Sequence, residues 1–230
     1  FGKSANRFSI GQAVSITPNF DPTLHGAIGQ VVNIPTSAIQ PKPDGVSFID
    51  AAAFWMAYPT AWGGLVQTGG LTMGSGQTVL VTAASSSVGI AAIQIAKNYG
   101  ATVIATTRTT EKLDAIRSIG PDHIIVTDDE ELVEQVHVIT QGNGFDIAFD
   151  PIGGSFVEKL AVAAGRNAVI VEYGMLSGES STLPFFAMIT KGLSIKVFHL
   201  SFDLLQHTER LRVAINHLLP RLKDGTYVPV

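Results

Sequence analysis

Residues 77–97, QTVLVTAASSSVGIAAIQIAK, run from an apolar stretch through small residues into a pattern of helical period. Thr78-Val79-Leu80-Val81 reads as a parallel strand buried on both faces, because a strand flanked by helices has no solvent side towards which to alternate. Ala83 to Gly89 reads as the turn, and Val88, Ala91, Ala92 and Ile95 as the inward stripe of the helix that follows. The first turn of such a helix presents unpaired N–H groups and the positive end of the peptide dipoles, a setting that favours an anion. Ser85, Ser86 and Ser87 add hydroxyl donors, so this βα unit predicts a phosphate-bearing ligand, a pyrophosphate above all.

Working outward, the same alternation continues. Strands are predicted at Thr102–Thr106, His123–Thr127, Phe145–Phe149, Ala168–Val171 and Ile195–Phe198, and helices at Lys112–Ile119, Glu130–Thr140, Ser155–Ala164 and Leu204–Leu222. Strand–helix repetition of this kind implies an α/β fold with a doubly wound parallel sheet, the Rossmann arrangement. The start of the chain differs: residues 11–18, GQAVSITP, and 26–35, GAIGQVVNIP, read as short alternating strands bounded by Gly and Pro. Ser47 followed by Asp50 forms a capping-box pattern that opens a helical stretch reaching Gln67, with a break expected at Pro59. The expected division is therefore a β-rich piece over 1–46, linker helices over 47–69, the dinucleotide-binding domain over 70–200, and over 201–230 a helix returning towards the first piece.

The chain has 230 residues, 46% hydrophobic and 15% charged, with a net charge of −4, which describes a globular protein and no basic surface for nucleic acid or anionic lipid. No charged residue lies between Asp50 and Lys97. That stretch is nonetheless broken by Pro59, Gly63-Gly64, Gly69-Gly70 and the serine run, so it reads as protein interior and not as a membrane span. The absence of cysteine removes disulfides, thiolate catalysis and Cys-based zinc sites, and fits a cytoplasmic protein. No secretory signal is visible in these residues. His25, His123, His137, His199, His207 and His217 show no metal-binding spacing, so no metal is expected. The acidic run Asp128-Asp129-Glu130-Glu131 reads as a helix cap and first turn.

Cofactor choice follows from charge at the end of the second sheet strand. NAD sites place an acid there for the ribose hydroxyls, whereas this chain reads Thr106-Thr107-Arg108, with no acid before Glu111. Arg108 and Lys112 offer positive charge to a 2′-phosphate, with Thr107 as a hydroxyl donor, so NADPH is expected over NADH. In a doubly wound sheet the ligand lies across the carboxyl ends of the strands, which adds Thr127, Asp150-Pro151-Ile152 and Tyr173-Gly174-Met175 as candidates.

Residues 58–113, YPTAWGGLVQTGGLTMGSGQTVLVTAASSSVGIAAIQIAKNYGATVIATTRTTEKL, resemble the medium-chain dehydrogenase/reductase superfamily, specifically its zinc-independent NADPH:quinone oxidoreductase branch. GQAVSITP and AIQPKPDGVSFIDAAAF upstream, and FDIAFDPIGG and VIVEYGMLSGE downstream, extend the likeness over most of the chain. TAASSSVG is also similar to the turn of short-chain dehydrogenases, but those enzymes place it near the chain start and use a Tyr-x-x-x-Lys pair; none of Tyr58, Tyr99, Tyr173 or Tyr227 has that lysine. The medium-chain resemblance implies a partial GroES-like domain at the start, a chain shortened at both ends, a homodimer, and a small-molecule electron acceptor. It implies that Ser86, Ser87, Val88, Gly89 and Lys112 hold phosphate, that Thr127 lies near adenine, Ile152 near a ribose, and Tyr173, Gly174 and Met175 near nicotinamide. Thr60 matches a position beside the nicotinamide or phosphates. Met56 stands where zinc-dependent relatives carry a cysteine ligand.

In the turn, Ala83 and Ser86 replace residues that are commonly glycine, and Gly89 remains for close helix packing. Ser86 is expected either to donate a hydroxyl bond to the cofactor or to push it outward. The function so implied is hydride transfer from NADPH to a quinone or α,β-unsaturated carbonyl, with an enoyl thioester as a substrate variant. A non-catalytic NADPH-binding sensor and a cofactor-free interaction protein are the other readings. Tyr58 is a candidate proton donor, set against the plainer reading of a core tyrosine.

Overall fold

The structure, a computed structural model, describes residues 7–230. The chain divides into two compact units, one formed by the segment up to Pro59 together with Leu200–Val230, the other by Thr60–His199.

In the first unit, β1 (Val14–Ile16) pairs antiparallel with β2 (Ile39–Pro41), Val14 opposite Pro41 and Ile16 opposite Ile39. The second strand expected at residues 26–35 does not form. Gly26, Gly29 and Pro35 interrupt that stretch, and Ile28 and Val31 stay exposed, so no burial offsets the poor strand propensity. α1 (Phe48–Trp62) starts at the predicted cap: the Asp50 amide donates to Ser47 Oγ at 3.0 Å. Trp55 Nε1 donates to Ser15 Oγ at 2.9 Å and ties α1 to β1.

The break expected at Pro59 is absent, because α1 runs through it and continues as a wider turn over Gly63–Thr68. Five buried neighbours on this helix, Phe54, Trp55, Tyr58, Ala61 and Trp62, outweigh the few kcal/mol that an internal proline costs (about 3). The helix predicted over 204–222 is likewise two pieces, a wide turn at Leu200–Leu205 and α7 (Thr208–Lys223).

The second unit is a six-stranded parallel sheet in the order β5-β4-β3-β6-β7-β8. Its strands are β3 (Thr78–Val81), β4 (Thr102–Thr107), β5 (His123–Val126), β6 (Phe145–Asp150), β7 (Ala164–Glu172) and β8 (Ser194–Val197). The helices between them are α2 (Ser87–Asn98), α3 (Leu113–Ile119), α4 (Leu132–Ile139), α5 (Phe156–Ala163) and α6 (Phe185–Lys191). This is the doubly wound Rossmann sheet expected from the strand–helix alternation. Leu80, Ile104, Phe145, Ala148 and Ile170 pack with Leu132, Val136 and Leu160 of α4 and α5 into one buried cluster.

α6 had no counterpart in the sequence reading, since FFAMITK is short and leaves none of its side chains buried. The acidic run does not open α4: Asp128, Asp129 and Glu130 lie in the preceding turn, Glu131 is the cap, and Glu130 accepts the Val126 amide at 2.8 Å.

Chain direction across the sheet reverses at the junction of β3 and β6. From β3 the connections run outward through β4 to β5, and from β6 through β7 to β8. Such a junction leaves a crevice at the carboxyl ends of its two strands.

Candidate functional site

The turn after β3 enters that crevice. Ala83 adopts a positive φ of 46°, a conformation that usually favours glycine, and its neighbour's amide, Ala84 N–H, donates to Thr106 O at 3.0 Å. This bond ties the turn to the end of β4, where Thr107 and Arg108 follow. Gly89 is needed for the close approach of α2, because a Cβ there would sit 2.7 Å from Ala83 O and 2.8 Å from Ala84 Cα.

Ser86 has a role within its own helix. Its Oγ turns back and accepts the Gly89 amide at 3.0 Å, making Ser86 the N-cap of α2. Gly89 and Ile90 thus have acceptors, while the amides of Ser87 and Val88 have none among the described residues. Val88 is partly exposed and not part of the inward stripe, which consists of Gly89, Ala91, Ala92, Ile93, Ile95 and Ala96.

Arg108 is exposed immediately beyond β4, and Lys112 is exposed at the end of a short 3₁₀ turn, Thr110–Lys112. Thr107 is nearly buried and donates to Thr109 O at 3.2 Å. Thr127 clamps the ends of β4 and β5, its amide donating to Thr107 O at 2.9 Å.

Across the junction, Thr82 and Asp150 bridge β3 to β6. The Thr82 hydroxyl donates to the Asp150 carboxylate, and the Gly153 amide donates to its other oxygen at 2.8 Å. Asp150 is completely buried, and burial outweighs these bonds to hold its carboxyl above the usual carboxylate range. Ile152 lies on the following loop and accepts the Ser177 amide at 2.9 Å. Gly174 packs on Pro151, where a Cβ would lie 2.9 Å from Pro151 O, and Met175 is exposed.

Tyr173 stacks on Phe149 with centroids 3.9 Å apart. Its hydroxyl lies beside Ser86 but makes no hydrogen bond, and burial first, then the Asp150 charge, pushes its pKa up. Glu172 Oε1 is the other buried side-chain atom without a partner among the described residues. Sequence reasoning passed over Glu172, Thr82 and Ser181, whose Oγ accepts the Gly154 amide at 2.9 Å. The available signal was an acid ending the apolar run VIVE.

The structure thus gathers Ser86, Ser87, Val88, Gly89 and Tyr173 at one end of the β3–β6 junction, with Thr107 at the end of the neighbouring strand and Arg108 just beyond it. Thr60, towards the end of α1, is buried at 8% exposure. Tyr58 belongs to the first unit, stacked on Phe54 at 4.4 Å and tilted against Tyr227 at 5.3 Å. Among the described residues no three His, Asp or Glu side chains converge as a metal site, and no helix is long and apolar enough to cross a membrane.

A family profile described as zinc-binding dehydrogenase matches residues 87–216. The quinone oxidoreductase-like protein 2 homolog of Nematostella vectensis is 30% identical over 201 residues, covering 87% of this chain and 54% of that protein. Among solved structures, an NAD-dependent alcohol dehydrogenase is 33% identical with a TM-score of 0.75, covering 87% of this chain and 55% of that one. The Escherichia coli quinone oxidoreductase complexed with NADPH is 26% identical with a TM-score of 0.76, covering 84% of this chain and 59% of that one. The chain spans a little over half the length of these relatives.

Proposed function

The chain belongs to the medium-chain dehydrogenase/reductase superfamily, and from that premise we propose that it serves an NADPH-dependent oxidoreductase that passes a hydride to a quinone or an α,β-unsaturated carbonyl without zinc. The observation that carries this reading is the pair of acceptor-free amides at Ser87 and Val88, placed at the N-terminus of α2 beside the β3–β6 crevice. Those amides, the exposed Ser87 hydroxyl and the close backbone approach at Gly89 fit a pyrophosphate.

Arg108 and Lys112 select the phosphorylated dinucleotide. Both are exposed cations beyond the end of β4, and no acid stands between Thr106 and Glu111 to favour a ribose diol. Tyr173, held flat by its stack on Phe149, and Gly174, drawn close to Pro151, shape the wall for the nicotinamide end. When bound, the cofactor would supply the hydride from its nicotinamide C4. The residues of this chain orient it, exclude water and fix the crevice floor through the Thr82–Asp150 bridge. The zinc-free reading is supported by the absence of cysteine and by Met56 at the position where zinc-dependent relatives carry a ligand.

The same reading makes the protein a homodimer. Among the described residues the outer edge of β8 has no partner strand, and Val197 on β8 and Phe185, Phe186 and Ile189 on α6 are exposed. A second copy of this edge is the self-complementary partner that a two-fold axis supplies.

The test is titration of NADPH and NADH into wild type and an Arg108→Ala/Lys112→Ala variant, followed by nicotinamide fluorescence. Wild type is expected to prefer NADPH, and the variant to lose about tenfold or more of that affinity, with NADH little changed. Equal losses for both nucleotides would remove the assignment of Arg108 and Lys112. Oxidation of NADPH by quinones, enals and enoyl thioesters then separates the acceptor classes.

A further inference from the structure

Asp150 ends β6, Glu172 ends β7, and the sheet register sets them directly opposite each other. In-register residues of neighbouring strands project to the same face, so the sheet itself brings two carboxyls together. Their surroundings are unequal. Asp150 accepts from Thr82 and from the Gly153 amide, whereas Glu172 Oε1 has no partner, and Glu172 Oε2 lies 3.7 Å from where a Gly153 Cβ would stand.

The other titratable groups around the pair are Tyr173, next in sequence with its unpartnered hydroxyl, and Glu179, whose Cβ lies 3.2 Å from the Cβ position of Gly154. Lys196 on β8 is in register with Val171 and so faces the opposite side of the sheet, where it donates to Thr68 O at 2.9 Å. Asp150 is the charge that acts on Glu172. Burial first, then that charge, pushes the Glu172 carboxyl up to about 8, and burial raises Asp150 as well, so the pair favours keeping a proton.

We propose that the Asp150–Glu172 pair is a proton-holding element that ties the choice between reduced and oxidised dinucleotide to pH: the pair keeps its proton while the nicotinamide is neutral and releases it to solvent when the ring is positively charged. This rests on the dinucleotide reading of the site. The charges balance, since loss of a hydride leaves the ring with one positive charge and loss of a proton leaves the pair with one further negative charge. No bond forms between Glu172 and substrate. Both carboxyls stand at the strand ends across which the dinucleotide lies, Asp150 completely buried and Glu172 half-buried, where charge is less screened than in open solvent. Glu172 is accordingly a positioning and charge-setting residue. Low pH favours holding NADPH and letting NADP⁺ go.

The experiment measures dissociation constants for NADPH and NADP⁺ between about pH 6 and pH 9, with wild type and Glu172→Gln. It also counts protons released on NADP⁺ binding, by calorimetry in two buffers of different ionisation heat. The ratio of the two constants cancels titration of the 2′-phosphate, which both nucleotides share. In wild type the NADP⁺ constant is expected to fall relative to that of NADPH by about tenfold as pH rises, the equivalent of one unit of linked shift.

Proton release is expected with NADP⁺ and not with NADPH. Gln keeps the shape and the donor of the protonated acid, so Glu172→Gln is expected to show a flat ratio and no release. A flat ratio in wild type, or the same slope in the variant, would overturn the proposal while leaving the binding site intact. If neither nucleotide bound, the dinucleotide reading would fall and this proposal with it. The proton count in wild type stands even if the variant does not fold.

Discussion

Gly89 shows how one missing methyl group permits α2 to close on the turn before it. A Cβ at this position would press on Ala83 O and Ala84 Cα, which are backbone atoms and cannot swing aside. Gly89→Ala gains about 1 kcal/mol of helix propensity, yet the collision is expected to win, with a net loss of about 1–3 kcal/mol in urea unfolding. A stability equal to wild type would mean that the turn relaxes. The need for glycine here was legible from the βα pattern. The role of Ser86 was not, because a hydroxyl at a helix start serves equally as ligand donor or as cap, and only the turn geometry aims it at Gly89 N–H.

At the level of elements, the strand cores were legible because parallel strands are continuous apolar runs, and β3 to β6 begin at the residues expected. The helix ends and the shorter elements were less so. α6 lacks a period of its own, yet it supplies Lys191, whose Nζ donates to Ala161 O at 3.1 Å, Val162 O at 2.6 Å and Ala164 O at 2.8 Å. The first two are carbonyls at the end of α5, where an α-helix has no internal donors, and the third opens β7. Lys191→Met is expected to cost about 1–2 kcal/mol in denaturant unfolding, since three acceptors lose their partner together. No loss would show that solvent replaces the ammonium. The edge strand β8 carries its own prediction. Val197→Lys places a charge on the open edge, and light scattering at micromolar concentration is expected to find wild type dimeric and the variant monomeric. A monomeric wild type would end the dimer proposal.

Over the whole molecule the two units carry opposite pH responses, and each holds one of the two tryptophans, Trp55 in the first and Trp62 in the second. In the first unit, burial, and then Arg221, lower the pKa of His217 from 6.5 to about 4. The folded state then binds fewer protons than the unfolded chain, so this unit loses stability as pH falls from 6.5 towards 4. In the second unit Glu172 is raised from 4.5 to about 8, the folded state binds more protons, and stability is lost as pH rises through that window. Between pH 4.5 and 6.5 the two responses have opposite sign. Trp62→Phe leaves Trp55 to report the first unit, and Trp55→Phe leaves Trp62 to report the second. Unfolding midpoints are expected to move in opposite directions across that range, and Glu172→Gln to flatten the response read by Trp62. Identical profiles from both probes would contradict the independent responses. By itself the sequence determined the strand–helix order, the small-residue turn that opens α2 and the cations after β4, because hydrophobic period, glycine placement and charge are local properties. Only the tertiary structure decided that Asp150 meets Glu172, that Ser86 caps its own helix, and that Tyr58 is walled into an aromatic stack. Those outcomes depend on strand register and on packing between residues far apart in the chain, which no local pattern encodes.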